Sequence, residues 1–302
     1  MKVTIGLPVY NAGPFLTDAL RSIFAQTFHD WELIIVDDGS TDGSLDLARS
    51  VRDSRVTVYG DGVNRGLVYR LNQIAQLAQG EYIARMDADD LMHPQRLAKQ
   101  VRFLDDHPDV DVVDTGLYSM NIDATPTGVR GREALQLSFD AALHHALLNH
   151  ATILGRREWF LKNPYDPLYV RSEDRELWCR TVGNSTFERI REPLYYYREL
   201  VNLQNYVRSC RTNRMLLRKY APEVLGSWAT MGRITMSYVK SMVYRAFAVL
   251  HLEGHLVAYR SRRLDPADAA IALDGIRRIL KAPVPGLDST DAPAAHPRKI
   301  AA

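Results

Sequence analysis

Leu33–Arg49 reads LIIVDDGSTDGSLDLAR, and two incompatible structures compete for it. From Asp38 onward, Asp38, Ser40, Asp42, Gly43, Leu45 and Asp46 fall at the first, third, fifth, sixth, eighth and ninth positions of an EF-hand calcium loop. The twelfth position decides against it: that place needs a bidentate carboxylate, and here it is Arg49. A calcium loop also follows a helix, whereas Leu33–Val36 is a short apolar run rich in β-branched residues. The stretch is therefore read as a buried strand ending on two carboxylates, Asp37 and Asp38.

Outward from that strand, two periodicities alternate. Strand patterns occupy Val3–Val9, Trp31–Val36, Val56–Tyr59, Tyr82–Met86 and Val110–Thr115. Helical patterns occupy Pro14–Gln26, Ser44–Val51, Leu67–Gln79 and Pro94–Asp105, the last opened by its proline. Such alternation predicts βαβ units and an α/β fold with a mostly parallel sheet. Ligands in these sheets bind at the carboxyl ends of the strands. Three polar clusters stand there: Pro8–Asn11 (PVYN), Asp37–Ser40 (DDGS) and Met86–Asp90 (MDADD).

Composition narrows the class. The chain has 302 residues, 46% apolar and 25% charged, enough for one large domain with or without an appendage. Two cysteines, Cys179 and Cys210, make no disulfide framework and no Cys-rich metal site, which fits a reducing compartment. The first residues enter a strand pattern at once, leaving no room for a signal peptide. The most apolar stretch, Met242–Tyr259, is broken by Arg245, His251, Glu253 and His255, so no spanning helix is expected. The net charge of +2 conceals an asymmetry: residues 1–200 hold 22 basic and 29 acidic side chains, and residues 201–263 hold 11 and 2.

Asp87, Asp89 and Asp90 crowd three carboxylates into four residues, a repulsion most simply offset by a cation. Hard oxygen ligands in a partly open site suit Mg²⁺ or Mn²⁺. The bland alternative is an acidic turn ahead of the helix at Pro94. No G-x-G-x-x-G follows the first strand and no G-x-x-x-x-G-K-[ST] occurs anywhere, so dinucleotide and P-loop readings lack support.

Gly6–Ser44, Asn64–Asp90 (NRGLVYRLNQIAQLAQGEYIARMDADD) and Ser172–Arg180 (SEDRELWCR) together resemble a family 2 glycosyltransferase, and more narrowly the bacterial members that build lipopolysaccharide and exopolysaccharide. The resemblance is strong over residues 3–115, moderate over 145–200 and absent beyond 205. It implies a GT-A (Rossmann-like) catalytic domain over 1–204, divided into a nucleotide-sugar half (1–115) and an acceptor half (116–204). A basic helical region (205–281) and a disordered, Pro- and Ala-rich tail (282–302) are expected to follow.

The resemblance also implies roles. Pro8, Tyr10 and Asn11 line the base of a nucleotide-sugar donor, and Asp38 with Asp37 accepts a hydrogen bond from it, which suits the N3–H of uracil or thymine. Asn64 and Arg65 flank the nucleotide, Asp87 approaches the ribose, and Asp89 with Asp87 holds Mn²⁺ or Mg²⁺. Asp174 is the base of an inverting transfer, with Glu173 in support and the acid kept ionised near neutrality. The plain alternative for that pair is helix chemistry, with Ser172 as cap and acids in the first turn. His150, Trp178 and Arg198 are candidates for the acceptor or diphosphate. After Arg198, Leu200–Leu203 replace the histidine and serines common in the family, which leaves any lid over the diphosphate open.

Beyond 205 the residues speak alone. Tyr238, Met242, Ala246, Val249 and Leu250 share a helical face, with Lys240 and Arg245 off it and Arg208, Arg211, Arg214, Arg218 and Lys219 upstream. Basic amphipathic helices can lie on anionic lipid, which suits a glycan or lipid-linked acceptor and a place on the cytoplasmic, inner face of the cell membrane. The alternative is packing on the catalytic domain or a second subunit. Two rival functions are a nucleotidyl- or phosphoryl-transfer enzyme, which lacks its glycine-rich loop, and a nucleic-acid binder. Against nucleic acid as a partner, the acidic site next to the basic segment would repel a phosphate backbone.

Overall fold

The computed structural model describes residues 1–144, 146–199, 203–249 and 262–288. β1 (Val3–Val9), β2 (Trp31–Asp37), β3 (Val56–Gly60) and β4 (Tyr82–Arg85) form a parallel half-sheet in the order β4-β1-β2-β3. Both faces of β2 are buried, which is why its sequence runs apolar without alternation. Three helices make the crossovers: α1 (Gly13–Phe24), α2 (Ser44–Arg49) and α3 (Leu67–Leu77). α1 and α3 bury stripes at the predicted spacing, Leu16, Ala19, Leu20 and Ile23 on one and Leu71, Ile74 and Ala75 on the other. Pro94 lies in a turn, and α4 (Arg96–Asp106) starts two residues beyond it.

Register gathers the polar clusters. Val9 lies opposite Asp37 between β1 and β2, and the N–H of Asp38 donates to the carbonyl of Val9 at 2.7 Å. Gly6 lies opposite Arg85 between β1 and β4. PVYN, DDGS and MDADD therefore emerge along one edge, as the carboxyl-end rule requires.

The second half extends this sheet with mixed strands. β5 (Leu91–Met92) pairs antiparallel with β9 (Phe187–Arg198), and β6 (Val112–Met120) runs parallel to β9 and antiparallel to β7 (Pro126–Arg130). β8 (Leu154–Arg156) joins β4 to β6, antiparallel to both. Short helices α5 (Phe139–His144), α6 (Arg157–Lys162) and α7 (Glu173–Thr181) cover this half.

α8 (Leu203–Val249) is broken at Gly226, whose φ of 75° and ψ of 163° suit glycine alone. It is a hairpin. Arg214 reaches the hydroxyl of Ser241, the hydroxyl of Ser237 reaches the carbonyl of Cys210, and Tyr206 packs on Tyr244, so the arms 203–225 and 227–249 run antiparallel. Leu216, Leu217 and Ala221 of the first arm bury into the core beneath α7. The predicted apolar face holds for Tyr238, Met242 and Ala246, which are exposed; the side chain of Val249 and all of Leu250 lie outside the described residues.

The chain then returns to the catalytic unit. β10 (Arg262–Arg263) pairs with β7, and α9 (Pro266–Ile279), capped by Asp265, buries Ala272, Ile276 and Ile279 against Leu91, Met120 and Tyr196. The tail expected to be disordered from residue 282 is packed as far as 288. Val284 is buried, the N–H of Arg52 donates to the carbonyl of Pro285 at 2.8 Å, and Arg21 pairs with Asp288.

Candidate active site

The nucleotide side is a pair of loops clasped by carboxylates and amides. Asn11 takes a positive φ of 50°, its N–H donates to Oγ of Ser40 at 3.0 Å, and its Oδ1 accepts from the N–H of Thr41 at 2.8 Å. Oδ2 of Asp37 accepts from the N–H groups of Gly39 and Ser40, each at 3.0 Å. Its Oδ1 is buried and has no protein partner among the described residues. Oδ1 of Asp38 accepts from the N–H of Arg65 and from Nε of Arg70, both at 2.8 Å, while Oδ2 accepts from the N–H of Gly66 at 3.0 Å. Arg70, buried on α3, also binds Asp61 at 2.7 Å, so one guanidinium fastens both sides of the 61–66 loop. Pro8 is half-buried, Asn64 is exposed, and Tyr10 stands 54% exposed at the mouth. Arg65 pairs with Asp61 at 2.9 Å and lies over the ring of Tyr69.

The crowded carboxylates after β4 meet cations of the protein itself. Arg85 and Asp87 are two apart on an extended chain, hence on one side, and Nη2 of Arg85 lies 2.7 Å from Oδ1 of Asp87. The backbone N–H of Arg198 donates to Oδ1 of Asp90 at 2.7 Å, and its Nε donates to the carbonyl of Asp89 at 2.8 Å. The β5–β9 pairing makes this possible by delivering Arg198 to the turn. The N–H of Asp87 donates to the hydroxyl of Tyr195 at 3.2 Å. Burial, then the charge of Asp87, pushes the Asp89 carboxyl up to about 6. A divalent ion would lower the cost of that burial and of the repulsion from Asp87. No three His, Cys, Asp or Glu side chains converge as a metal cage among the described residues. Asp89 with Asp87 offers a partial oxygen shell, which fits Mg²⁺ or Mn²⁺ completed by phosphate and water.

α7 begins at the second carboxylate pair. Glu173 is buried, its Oε2 lacks a protein partner among the described residues, and burial followed by the charge of Asp174 pushes its carboxyl up to about 7. Asp174 is half-buried and also raised, chiefly by burial, so the expectation that its surroundings keep it ionised is only partly met. Two close carboxylates titrate as a pair, and burial favours holding one proton between them. Ser172 does not cap the helix. Its hydroxyl turns to Thr212 of α8 at 3.0 Å, and Arg175 donates to Asn213 at 2.7 Å.

Arg85 pairs with Asp87 and feels the charge of Glu173 as well. Burial opposes its charge, but Asp87, Tyr165, Tyr195 and Glu173 around it hold the guanidinium ionised. Its field and burial drive the pKa of His150 well below the usual range, with burial the larger cause. His150 is therefore neutral at physiological pH, and its Nε2 meets the hydroxyl of Tyr165 at 2.8 Å.

Residues 4–221 match the glycosyl transferase family 2 domain. The chain belongs to that family. The glycosyltransferase is similar to the putative glycosyltransferase EpsE of Bacillus subtilis, 39% identical over 207 residues, which cover 66% of this chain and 73% of that one. It is also similar to the putative teichuronic acid biosynthesis glycosyltransferase TuaG of the same organism, 32% identical over 158 residues, 52% of this chain and 62% of that one. Among solved structures, S. aureus TarS 1-349 in complex with UDP-GlcNAc matches with a TM-score of 0.57 at 20% identity, covering 72% of this chain and 66% of that one. Against the longer TarS chain the likeness spans 40% of that protein. The mannosyltransferase PcManGT from Pyrobaculum calidifontis, in complex with GDP-Man and Mn²⁺, matches with a TM-score of 0.56 at 18% identity, covering 93% and 85%. The fold is GT-A, and the protein is an enzyme of the glycosyltransferase class.

In this glycosyltransferase the described geometry brings Asp37, Asp38, Asn64 and Arg65 into one clasped loop pair, and Asp87, Asp89 and Arg198 into one turn. Trp178 is elsewhere. It is fully buried between Trp159 and Phe187, so as an acceptor or diphosphate contact it is corrected to a core residue. Arg198 holds the acidic turn from behind. Sequence reading missed Arg85, Arg70 and Tyr195. Arg85 carried a signal, since its two-residue spacing from Asp87 puts both on one side of the strand end.

Proposed function

We propose that this glycosyltransferase is metal-dependent and inverting, and moves a sugar from a nucleotide-sugar donor to a hydroxyl of a growing surface glycan. A UDP-sugar is the favoured donor and a dTDP-sugar the next. The unpartnered, buried Oδ1 of Asp37 beside Asp38 supports a base that donates N3–H, as uracil and thymine do. The acceptor is a lipopolysaccharide or exopolysaccharide precursor, lipid-linked at the inner face of the membrane. No helix among the described residues is long and apolar enough to cross a membrane.

The observation that carries the reading is the pair of acidic sites within electrostatic reach of one arginine, Arg85, one at Asp87–Asp89 and one at Glu173–Asp174. A divalent ion held by Asp89 and Asp87 supplies neutralising charge at the diphosphate. Asp174 accepts the proton of the acceptor hydroxyl as its oxygen attacks the anomeric carbon. The new C–O bond forms on one face while the bond to the phosphate oxygen breaks on the other, its electron pair leaving with the nucleoside diphosphate. Glu173 supports Asp174, burial raising the pair so that it does not carry two full charges.

Thermal unfolding with UDP, dTDP, GDP, CDP and ADP, each with and without Mn²⁺, tests the donor site. A ligand at about 100 times its dissociation constant stabilises by about 2.7 kcal/mol. A shift with UDP or dTDP that requires Mn²⁺ and vanishes in Asp89→Ala is expected. A shift with no nucleotide overturns the assignment.

A further inference from the structure

The second arm of α8 packs the opposite way from an ordinary amphipathic helix. Its buried residues are Thr230, Ile234, Ser237 and Ser241, one stripe at helical spacing that faces the first arm. Three of these four are small hydroxyl residues. On the opposite face Trp228, Met231, Val239 and Met242 form an apolar stripe about 21 Å long at 1.5 Å per residue. Trp228 is 92% exposed, Met242 70% and Met231 61%. Monomeric surfaces rarely leave such a stripe open without a partner.

Charge selects the partner. From Val224 to Val249 the chain holds Arg233, Lys240 and Arg245 and no acidic side chain. At 100° per residue, Arg245 lies beside the Met231 edge of the stripe, and Lys240 and Arg233 lie on the other side beyond the exposed Val243 and Met236. A second copy meeting this face across a two-fold axis would set one cationic rim against another. An anionic bilayer complements both parts, taking the apolar stripe into the headgroup boundary and the cations at the phosphates.

We propose that the outer face of this arm, from Trp228 to Met242, docks the enzyme on an anionic lipid bilayer. The first arm transmits that placement. Thr212 bonds Ser172, Asn213 accepts from Arg175, and the hydroxyl of Tyr220 donates to Glu176 at 2.8 Å, all on α7 at or near the Glu173–Asp174 pair. Docking therefore sets the acceptor side of the cleft at a fixed height above the lipid. Its bearing on the acceptor rests on the glycosyl-transfer reading, but the lipid contact does not.

The four tryptophans make the test direct, because Trp31, Trp159 and Trp178 are buried and only Trp228 is exposed. With the full chain and vesicles of phosphatidylcholine containing phosphatidylglycerol, emission is expected to move to shorter wavelength and to be quenched by acyl-brominated lipid. Trp228→Phe removes both signals. Lys240→Glu with Arg245→Glu lowers vesicle affinity about tenfold or more. Met231→Ser with Met242→Ser also lowers it about tenfold or more. Absence of a shift with any vesicle overturns the proposal, and so does equal affinity for pure phosphatidylcholine. A shift produced by protein concentration alone, with a dimer in sedimentation equilibrium, assigns the face to a second copy instead. The Mn²⁺-dependent stabilisation by UDP is read on the same samples, so failure of the donor site and failure of docking are separate results.

Discussion

The buried Arg85 and the half-buried Asp87 form an ion pair, Nη2 to Oδ1 at 2.7 Å, at the end of β4. Burial raises the carboxyls of both Glu173 and Asp174, and the charge of the same guanidinium opposes part of that rise. One cation thus links the proposed donor and acceptor sides.

Replacing it should move a pH profile as well as a rate. In Arg85→Met the Glu173–Asp174 pair loses a cation that favours its ionised form, so its pKa values rise. The acid limb of kcat/KM against pH is expected to shift to higher pH, with transfer at pH 7 reduced about tenfold or more. Asp87 is half-buried and can be solvated once its partner is gone, so the loss of stability is expected to be smaller than for a fully buried pair. A slower variant with an unmoved acid limb would show that Arg85 is only a structural fastener.

Asp174→Asn separates binding from chemistry. Removing a general base typically costs between about 10² and 10⁴ in rate. The expected outcome is that loss in radiolabelled transfer, with the Mn²⁺-dependent stabilisation by UDP retained. Unchanged turnover would move the base to another residue.

Glu173 makes stability depend on pH in the less usual sense. Its folded carboxyl is pushed up to about 7 from an ordinary 4.5, so between those values the folded state binds more protons than the unfolded one. Stability is therefore greatest below the unfolded value and falls as pH rises through about 7. Glu173→Gln removes this share, and the decline in Tm between about pH 5 and 7.5 should become shallower. Asp114, also raised to about 6 by burial, keeps a residual slope of the same sign. An unchanged decline in the variant would exclude Glu173 as its source.

Arg70 fastens the nucleotide loop. Arg70→Met leaves Asp38 buried with only backbone donors and Asp61 with Arg65 as its remaining arginine, so a loss of about 3 kcal/mol is expected in chemical denaturation. UDP affinity should fall with it, because the 61–66 loop loses its anchor. Affinity equal to the parent would show that the loop holds its shape through Gly66 and the Asp38 amide bonds alone.

Local pattern carried much of this protein. Leu33–Val36 could be recognised as a strand because its apolar run and the cation at Arg49 are local facts, and the GxxxxGK-free strand ends announced carboxylate chemistry. The βαβ alternation then forced PVYN, DDGS and MDADD onto one edge, since parallel strands share a direction. What sequence could not supply was which faces meet. Trp178 and Asp174 are four residues apart on one helix, yet one is sealed in the core and the other is half-exposed. Residues 262–288 return to the sheet through β10 and α9, a closure no local pattern encodes. Charges behave likewise: Arg85 is a buried cation held by Asp87, and His150 a neutral ring, because burial sets the cost of charge and only the packed chain decides who is buried beside whom.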